Sequence, residues 1–115
     1  MPDLTIRDYQ TESARTAIYP RTQAIVYSLI GLANESGEAL GVLKKALRGD
    51  YQLTELLQAG GTREHLVKEL GDVLWYLAQV CNDCDIDLEW VARANLAKLQ
   101  DRQERGVLKG SGGER

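Results

Sequence analysis

The chain has no Phe, two Pro, one Met, one His and two Cys among its 115 residues, and each scarcity closes off a class of protein. Cys81 and Cys84 are the only cysteines and His65 the only histidine, so a structural zinc site lacks its second Cys/His pair. The Cys-Asn-Asp-Cys pair reads instead as two reduced thiols near a helix end, as a cytoplasmic protein would keep them. No apolar run approaches the ~20 residues that cross a bilayer; the longest, Ala24 to Ala33, is broken by Ser28. The start, Met-Pro-Asp-Leu-Thr, has neither the basic residues nor the apolar segment of a signal peptide. A soluble, cytoplasmic protein with no membrane partner is expected. Excess positive charge is also missing: 14 Lys and Arg against 17 Asp and Glu leave a net charge of −3, with most bases dispersed. That balance speaks against a nucleic acid polymer as partner.

What remains fits one small domain. At 43% hydrophobic residues the chain can bury a core without staples, and residues 1–115 match the usual length of a single unit. Thr5 and Asp8 are spaced as a capping box for a helix from Thr5 to about Ala17, closed by Tyr19-Pro20. Thr22 is placed to cap a long second helix to about Arg48, where Gly49-Asp50 stops it. The stretch from Tyr51 to Gly61 holds at most a short piece over Leu53 to Gln58. Thr62 is placed to cap a third helix through Asp83, with Glu64 in its first turn, and Asp87 a fourth that ends near Arg105-Gly106. The tail, about 107–115, is expected to be mobile. No strand alternation or repeat appears, so the fold is expected to be all-α, a four-helix bundle-like arrangement.

At about 100° per residue, the third helix gathers Leu66, Val67, Leu70, Val73, Leu74, Leu77, Val80 and Cys81 on one arc, read as its core face. Beside that arc lie His65, Glu69, Asp72 and Tyr76. On the second helix Ile25, Leu29, Leu32, Ala39, Leu40, Leu43, Ala46 and Leu47 form the apolar arc, with Glu35 and Glu38 at its edge. Both acid pairs are spaced i, i+3, so each pair points one way. Carboxylates clustered at low dielectric must pair, protonate or hold a cation, and Lys45 is one base on the side of Glu38. A hard divalent ion with oxygen ligands satisfies such a set and leaves room for phosphates. Ordinary surface acids on a solvated helix edge have the same spacing.

Eleven glycines are the surplus in this helix-forming sequence. Gly31, Gly37, Gly41 and Gly71 fall inside helices, where each costs roughly 1 kcal/mol against alanine. Close approach of another backbone, or room for a ligand, is the expected reason. Gly37 and Gly71 directly precede Glu38 and Asp72, which points to one shared site, although helix crossings alone also use glycine. On the fourth helix Asn95 falls within the apolar arc of Leu88, Val91, Ala92, Leu96 and Leu99 and is expected to be buried, flanked by Lys98 and Arg102. That group suits phosphate oxygens if it faces the acids, and ion pairs with neighbouring helices otherwise.

Gly31-Leu-Ala-Asn-Glu-Ser-Gly-Glu38, then Lys44-Lys45, then Glu69-Leu-Gly-Asp-Val-Leu-Trp-Tyr76 resembles the MazG-type all-α nucleoside triphosphate pyrophosphohydrolases, which carry Glu-x-x-Glu followed at a distance by Glu-x-x-Asp. Asn95-Leu-Ala-Lys-Leu99 and the segment from Arg105 to Gly112 are similar to the small single-domain branch, and the likeness spans about residues 8 to 112. The resemblance implies hydrolysis of (d)NTP to (d)NMP and pyrophosphate with Mg2+, Mn2+ being a substitute, in a homodimer or homotetramer. It implies Glu35, Glu38, Glu69 and Asp72 as metal ligands and catalytic acids, and Tyr76, Asn95 and Lys98 as substrate contacts. Lys45, and Arg102 beside Lys98, join them as holders of phosphate. The chain departs from the pattern in three places: thirty residues separate Glu38 from Glu69, Asn34 stands where some relatives have an acid, and the tail reads Ser-Gly-Gly-Glu-Arg where related chains often have Asp-Asn.

Three other functions are weighed against this one. Covalent catalysis lacks a Ser or Cys paired with a base. A ferritin-like di-iron centre would need Glu-x-x-His on two helices, a spacing that His65 does not provide. A non-catalytic helical module that binds nucleotide or a partner remains the alternative.

Overall fold

The structure is a computed structural model that describes residues 3–109. Among the described residues there are four α-helices and no strand: α1 (Ile6–Ser13), α2 (Ala24–Leu47), α3 (Gly61–Asp83) and α4 (Leu88–Arg105). This is the expected all-α class. Short 3-10 turns at Ala14–Thr16, Arg21–Gln23 and Leu53–Leu57 complete the chain.

The helix ends follow local chemistry with two exceptions. Thr5 and Asp8 close a reciprocal capping box on α1. Asp87 accepts from the Glu89 amide at the start of α4, and Gly106 ends that helix in the left-handed conformation, φ 72°. Thr22 does not cap α2: it lies in a 3-10 turn, and Gln23 precedes the helix without a side-chain cap. Thr62 does not cap α3 either. The chain turns into α3 at Gly60, whose φ of 151° a side chain would resist, and Thr62 falls inside the first turn. Residues 110–115, including the glycine-rich tail, lie outside the described residues.

α2 and α3 form the main hairpin, and α1 lies against α3 and the start of α4. There Ala78, Cys81 and Leu88 are buried, with Tyr9, Leu77 and Val91 packed against them. A polar chain crosses the same junction. The Gln10 amide donates to Asn82 Oδ1 (2.9 Å) and to the Ile86 carbonyl (2.8 Å), while its oxygen accepts from the Leu88 amide (2.8 Å). Asn82 donates to Gln79 Oε1 (3.0 Å), and Gln79, only 1% exposed, donates to Ser13 Oγ (2.9 Å). Such a chain is stabilising only while every buried member is satisfied. Ser13→Ala strands the Gln79 amide and is expected to cost about 1–3 kcal/mol, read as a lower midpoint in chemical denaturation with an unchanged slope.

The N-terminal segment is fastened to α3 by aromatic side chains. The Trp75 indole N–H donates to Thr16 Oγ1 (2.9 Å) and to the Ser13 carbonyl (3.2 Å). Tyr19 donates to Asp83 Oδ2 (2.6 Å), and Arg21 bridges Asp83 (3.2 Å) while lying over the Tyr19 ring. Trp75 is therefore an anchor for the segment after α1.

The apolar arcs read as core are largely uncovered. Leu29, Leu40, Leu43 and Leu47 of α2, Val67, Leu70 and Leu74 of α3, and Leu96 and Leu99 of α4 are all exposed, Leu47 to 80%. The stripes that face each other across the hairpin are different: Ser28, Gly31 and Val42 are buried on α2, and Glu35 and Glu69 are half-buried between the helices. Periodicity locates an apolar face but not what covers it. Asn95 is likewise exposed, and α4 packs chiefly on α1. The radius of gyration, 17.1 Å, exceeds the roughly 13 Å of a compact domain of this length.

Candidate active site

Facing positions on α2 and α3 run antiparallel. Gly31 meets Tyr76, Glu35 meets Glu69 and Asp72, and Val42 and Lys45 share a cavity with Thr62 and His65. At about 3.6 residues per turn the i, i+3 and i, i+4 steps keep each set on one side of its helix. The sequence thereby lays out, along one seam, an aromatic end, an acidic middle and a basic end.

In the middle, ligand oxygens of Glu35, Glu69 and Asp72 lie within 4.8 Å of one another. Partial burial raises the Glu35 carboxyl above the ordinary carboxylate range, and Asp72, Glu69 and Glu38 push it further. This is the electrostatic signature of acids gathered without enough compensating base. His65 Nε2, 3.4 Å from Glu69 Oε1, is the cation-capable group seen beside them. Glu38 is exposed and outside the group of three, though close enough to act on Glu35. The donor set fits a hard divalent cation, being carboxylate oxygen throughout, with no thiolate.

At the basic end Lys45, His65 and Thr62 line a cavity of about 240 Å³ with Val42, Tyr51 and Gly61. At the aromatic end Tyr27, Ile30, Gly31, Asn34 and Tyr76 line one of about 260 Å³. Tyr76 stands edge-on to Trp75, ring centres 4.9 Å apart, and 6.4 Å from Tyr27. A Cβ on Gly31 would come closer to the Tyr76 ring than real side chains allow, so this glycine is what lets the ring lie on α2. Gly37, Gly41 and Gly71 have open space where a Cβ would stand, which corrects the expectation of close backbone approach at those positions within the chain.

The structure thus brings together Glu35, Glu69 and Asp72, with Glu38, Lys45 and Tyr76 along the same seam. It does not bring the α4 residues to them: Asn95 and Lys98 are exposed, and Arg102 is buried. The expectation of a buried Asn95 is overturned within the single chain. Sequence reasoning missed Tyr27 and Asn34. Their signal was spacing, since Tyr27, Gly31, Asn34, Glu38 and Lys45 continue one stripe. A larger cavity of about 600 Å³ lies on α4 among Leu96, Leu99, Gln100, Gln103 and Leu108, and no ionisable side chain lines it. Among the described residues, no helix is long and apolar enough to cross a membrane.

An acid cluster of Glu-x-x-Glu and Glu-x-x-Asp type on an all-α hairpin defines a class, and comparison with known proteins agrees. The model of the MazG nucleotide pyrophosphohydrolase domain matches residues 26–107. The chain belongs to the MazG nucleotide pyrophosphohydrolase family. It is also 41% identical over 114 residues, covering 93% of this chain and 96% of that protein, to the "Gene 37 protein" of Mycobacterium phage L5. No solved structure matches it.

Proposed function

We propose that this chain is a Mg2+-dependent nucleoside triphosphate pyrophosphohydrolase that converts (d)NTP to (d)NMP and pyrophosphate and so clears or balances nucleotide pools. The observation that carries the reading is the group Glu35, Glu69 and Asp72, three carboxylates held within 4.8 Å in a chain of this family. Like charges at that separation cost stability, which a protein without a cation to bind would gain by losing. What the cation supplies when bound is neutralisation of the charge that develops on phosphate oxygens.

The chain's own residues do the rest. Glu35, Glu69 and Asp72 hold the cation. Glu38, on the adjacent turn and outside that group, orients the attacking water and takes its proton. The water oxygen bonds to the α-phosphorus, the bond from that phosphorus to the α–β bridging oxygen breaks, and pyrophosphate leaves with the electron pair. Lys45, in the cavity beyond Glu69, balances the departing charge, and His65 lines the same cavity.

Asn95 and Lys98, both exposed, join this scheme through a second copy of the chain, whereas Arg102 is buried within its own chain. The exposed leucines of α2 and α3, with a radius of gyration above that of a compact domain, support a homodimer or homotetramer that covers them. Light scattering at micromolar concentration is expected to give a mass at least twice that of the chain. A monomer there removes the assembly.

Cation binding tests the reading without assuming turnover. Mn2+ titrated into the protein and followed by electron paramagnetic resonance is expected to show bound ion in the wild type, and binding weakened by about tenfold or more in Glu35→Gln. EDTA is expected to stop hydrolysis and Mg2+ to restore it. Nucleotide binding by calorimetry with no turnover would favour a non-catalytic module instead.

A further inference from the structure

Of the cavities on this chain, two flank the acids, and they differ in chemistry. The one beside Lys45 and His65 suits anions. The other, lined by Tyr27, Ile30, Gly31, Asn34 and Tyr76, presents two phenol rings, one aliphatic side chain, a bare backbone and a single carboxamide. Its volume, about 260 Å³, falls just below the roughly 300–1,000 Å³ of pockets that take drug-sized ligands. It therefore suits one heterocycle rather than a whole nucleotide. A flat ring gains by stacking on aromatic faces whatever its identity, and Gly31 keeps Tyr76 in place for that. The only polar group there besides the phenols is Asn34, which offers a donor and an acceptor side by side. Asn34 also immediately precedes Glu35, so a ring in this cavity sits next to the cation ligands.

We propose that this cavity receives the base of the nucleotide and that the Asn34 carboxamide reads the base's hydrogen-bonding edge. The inference rests on the triphosphate-hydrolase reading and adds a direction to it: base in the cavity against the Tyr27 and Tyr76 side chains, α-phosphate at Glu35 and Asp72, and pyrophosphate toward Lys45. Asn34 is a specificity-determining residue and takes no part in breaking the bond.

The test uses the chemical asymmetry of bases. All four bases present a donor next to an acceptor, which a carboxamide matches and a carboxylate does not. Guanine alone presents two adjacent donors, its N1–H and 2-amino group, which a carboxylate accepts together. Relative kcat/KM for the four ribonucleoside triphosphates is measured for wild type and Asn34→Asp. The ratio of guanine to cytosine and adenine is expected to rise by about tenfold or more. If the added charge beside Glu35 suppresses turnover, the same ratio is read from calorimetric affinities for the nucleoside monophosphates, which need no catalysis. A ratio unchanged from wild type, in protein of unchanged helix content, overturns the inference and leaves the hydrolase reading intact. Failure of the wild type to hydrolyse any triphosphate overturns both.

Discussion

Asp72→Asn and Glu35→Gln are each expected to abolish hydrolysis, lowering kcat by at least about a hundredfold, while leaving the helical circular dichroism signal in place. Each change keeps the volume and removes one negative charge from three carboxylates that lie within 4.8 Å. The cation is then held by fewer charges, and the phosphates meet less compensation as their bond breaks. The same substitutions carry a second, opposite sign. Glu35 is already pushed toward its neutral form by burial and by its neighbours Asp72, Glu69 and Glu38. In cation-free protein, relieving that repulsion makes Glu35→Gln as stable as wild type or more so. Loss of activity together with unchanged or raised stability separates a functional cluster from a structural one. If the acids stabilise the fold instead, both variants unfold at lower denaturant.

Gly31→Ala is expected to be the most damaging of the helix-glycine substitutions. Alanine would gain roughly 1 kcal/mol of helix propensity, but its Cβ would collide with the Tyr76 ring. That ring stands against Trp75, which is itself bonded to Thr16 and the Ser13 carbonyl, so moving it disturbs the fastening of the N-terminal segment. Overpacking of this kind costs about 1–3 kcal/mol, and the balance is a lower Tm. Gly37→Ala and Gly71→Ala meet open space and are expected to raise stability by roughly 1 kcal/mol each. Differential scanning fluorimetry on the three variants gives the comparison. A loss at Gly37 or Gly71 would show that a second copy of the chain occupies the space beside them.

These two predictions also mark how far the sequence reaches. The acid pairs were legible because i, i+3 spacing fixes their direction on a helix. The ends of α1 and α4 were legible because Thr5, Asp8, Asp87 and Gly106 act through neighbours within a few residues. What depended on distant contacts was not. Nothing near Gly31 announces Tyr76, and nothing near Trp75 announces Ser13, since those pairs lie tens of residues apart. The start of α3 was misplaced because the chain turns there through the backbone of Gly60 rather than through a Thr62 side chain. The apolar arcs were found correctly, but most of their residues are exposed in the single chain. Leu40, Leu47 and Leu70 satisfy the helical period, and the period is the same whether a helix of this chain or of a second copy lies over them. Asn95 failed for the same reason, its burial having been inferred from the arc it interrupts.

The most direct test is the identity of the products. Purified protein incubated with Mg2+ and each common ribo- and deoxynucleoside triphosphate, followed by phosphorus nuclear magnetic resonance, is expected to yield nucleoside monophosphate and pyrophosphate in equal amounts, and nothing with Asp72→Asn. Release of orthophosphate with a diphosphate, or no product from any triphosphate, would contradict the account.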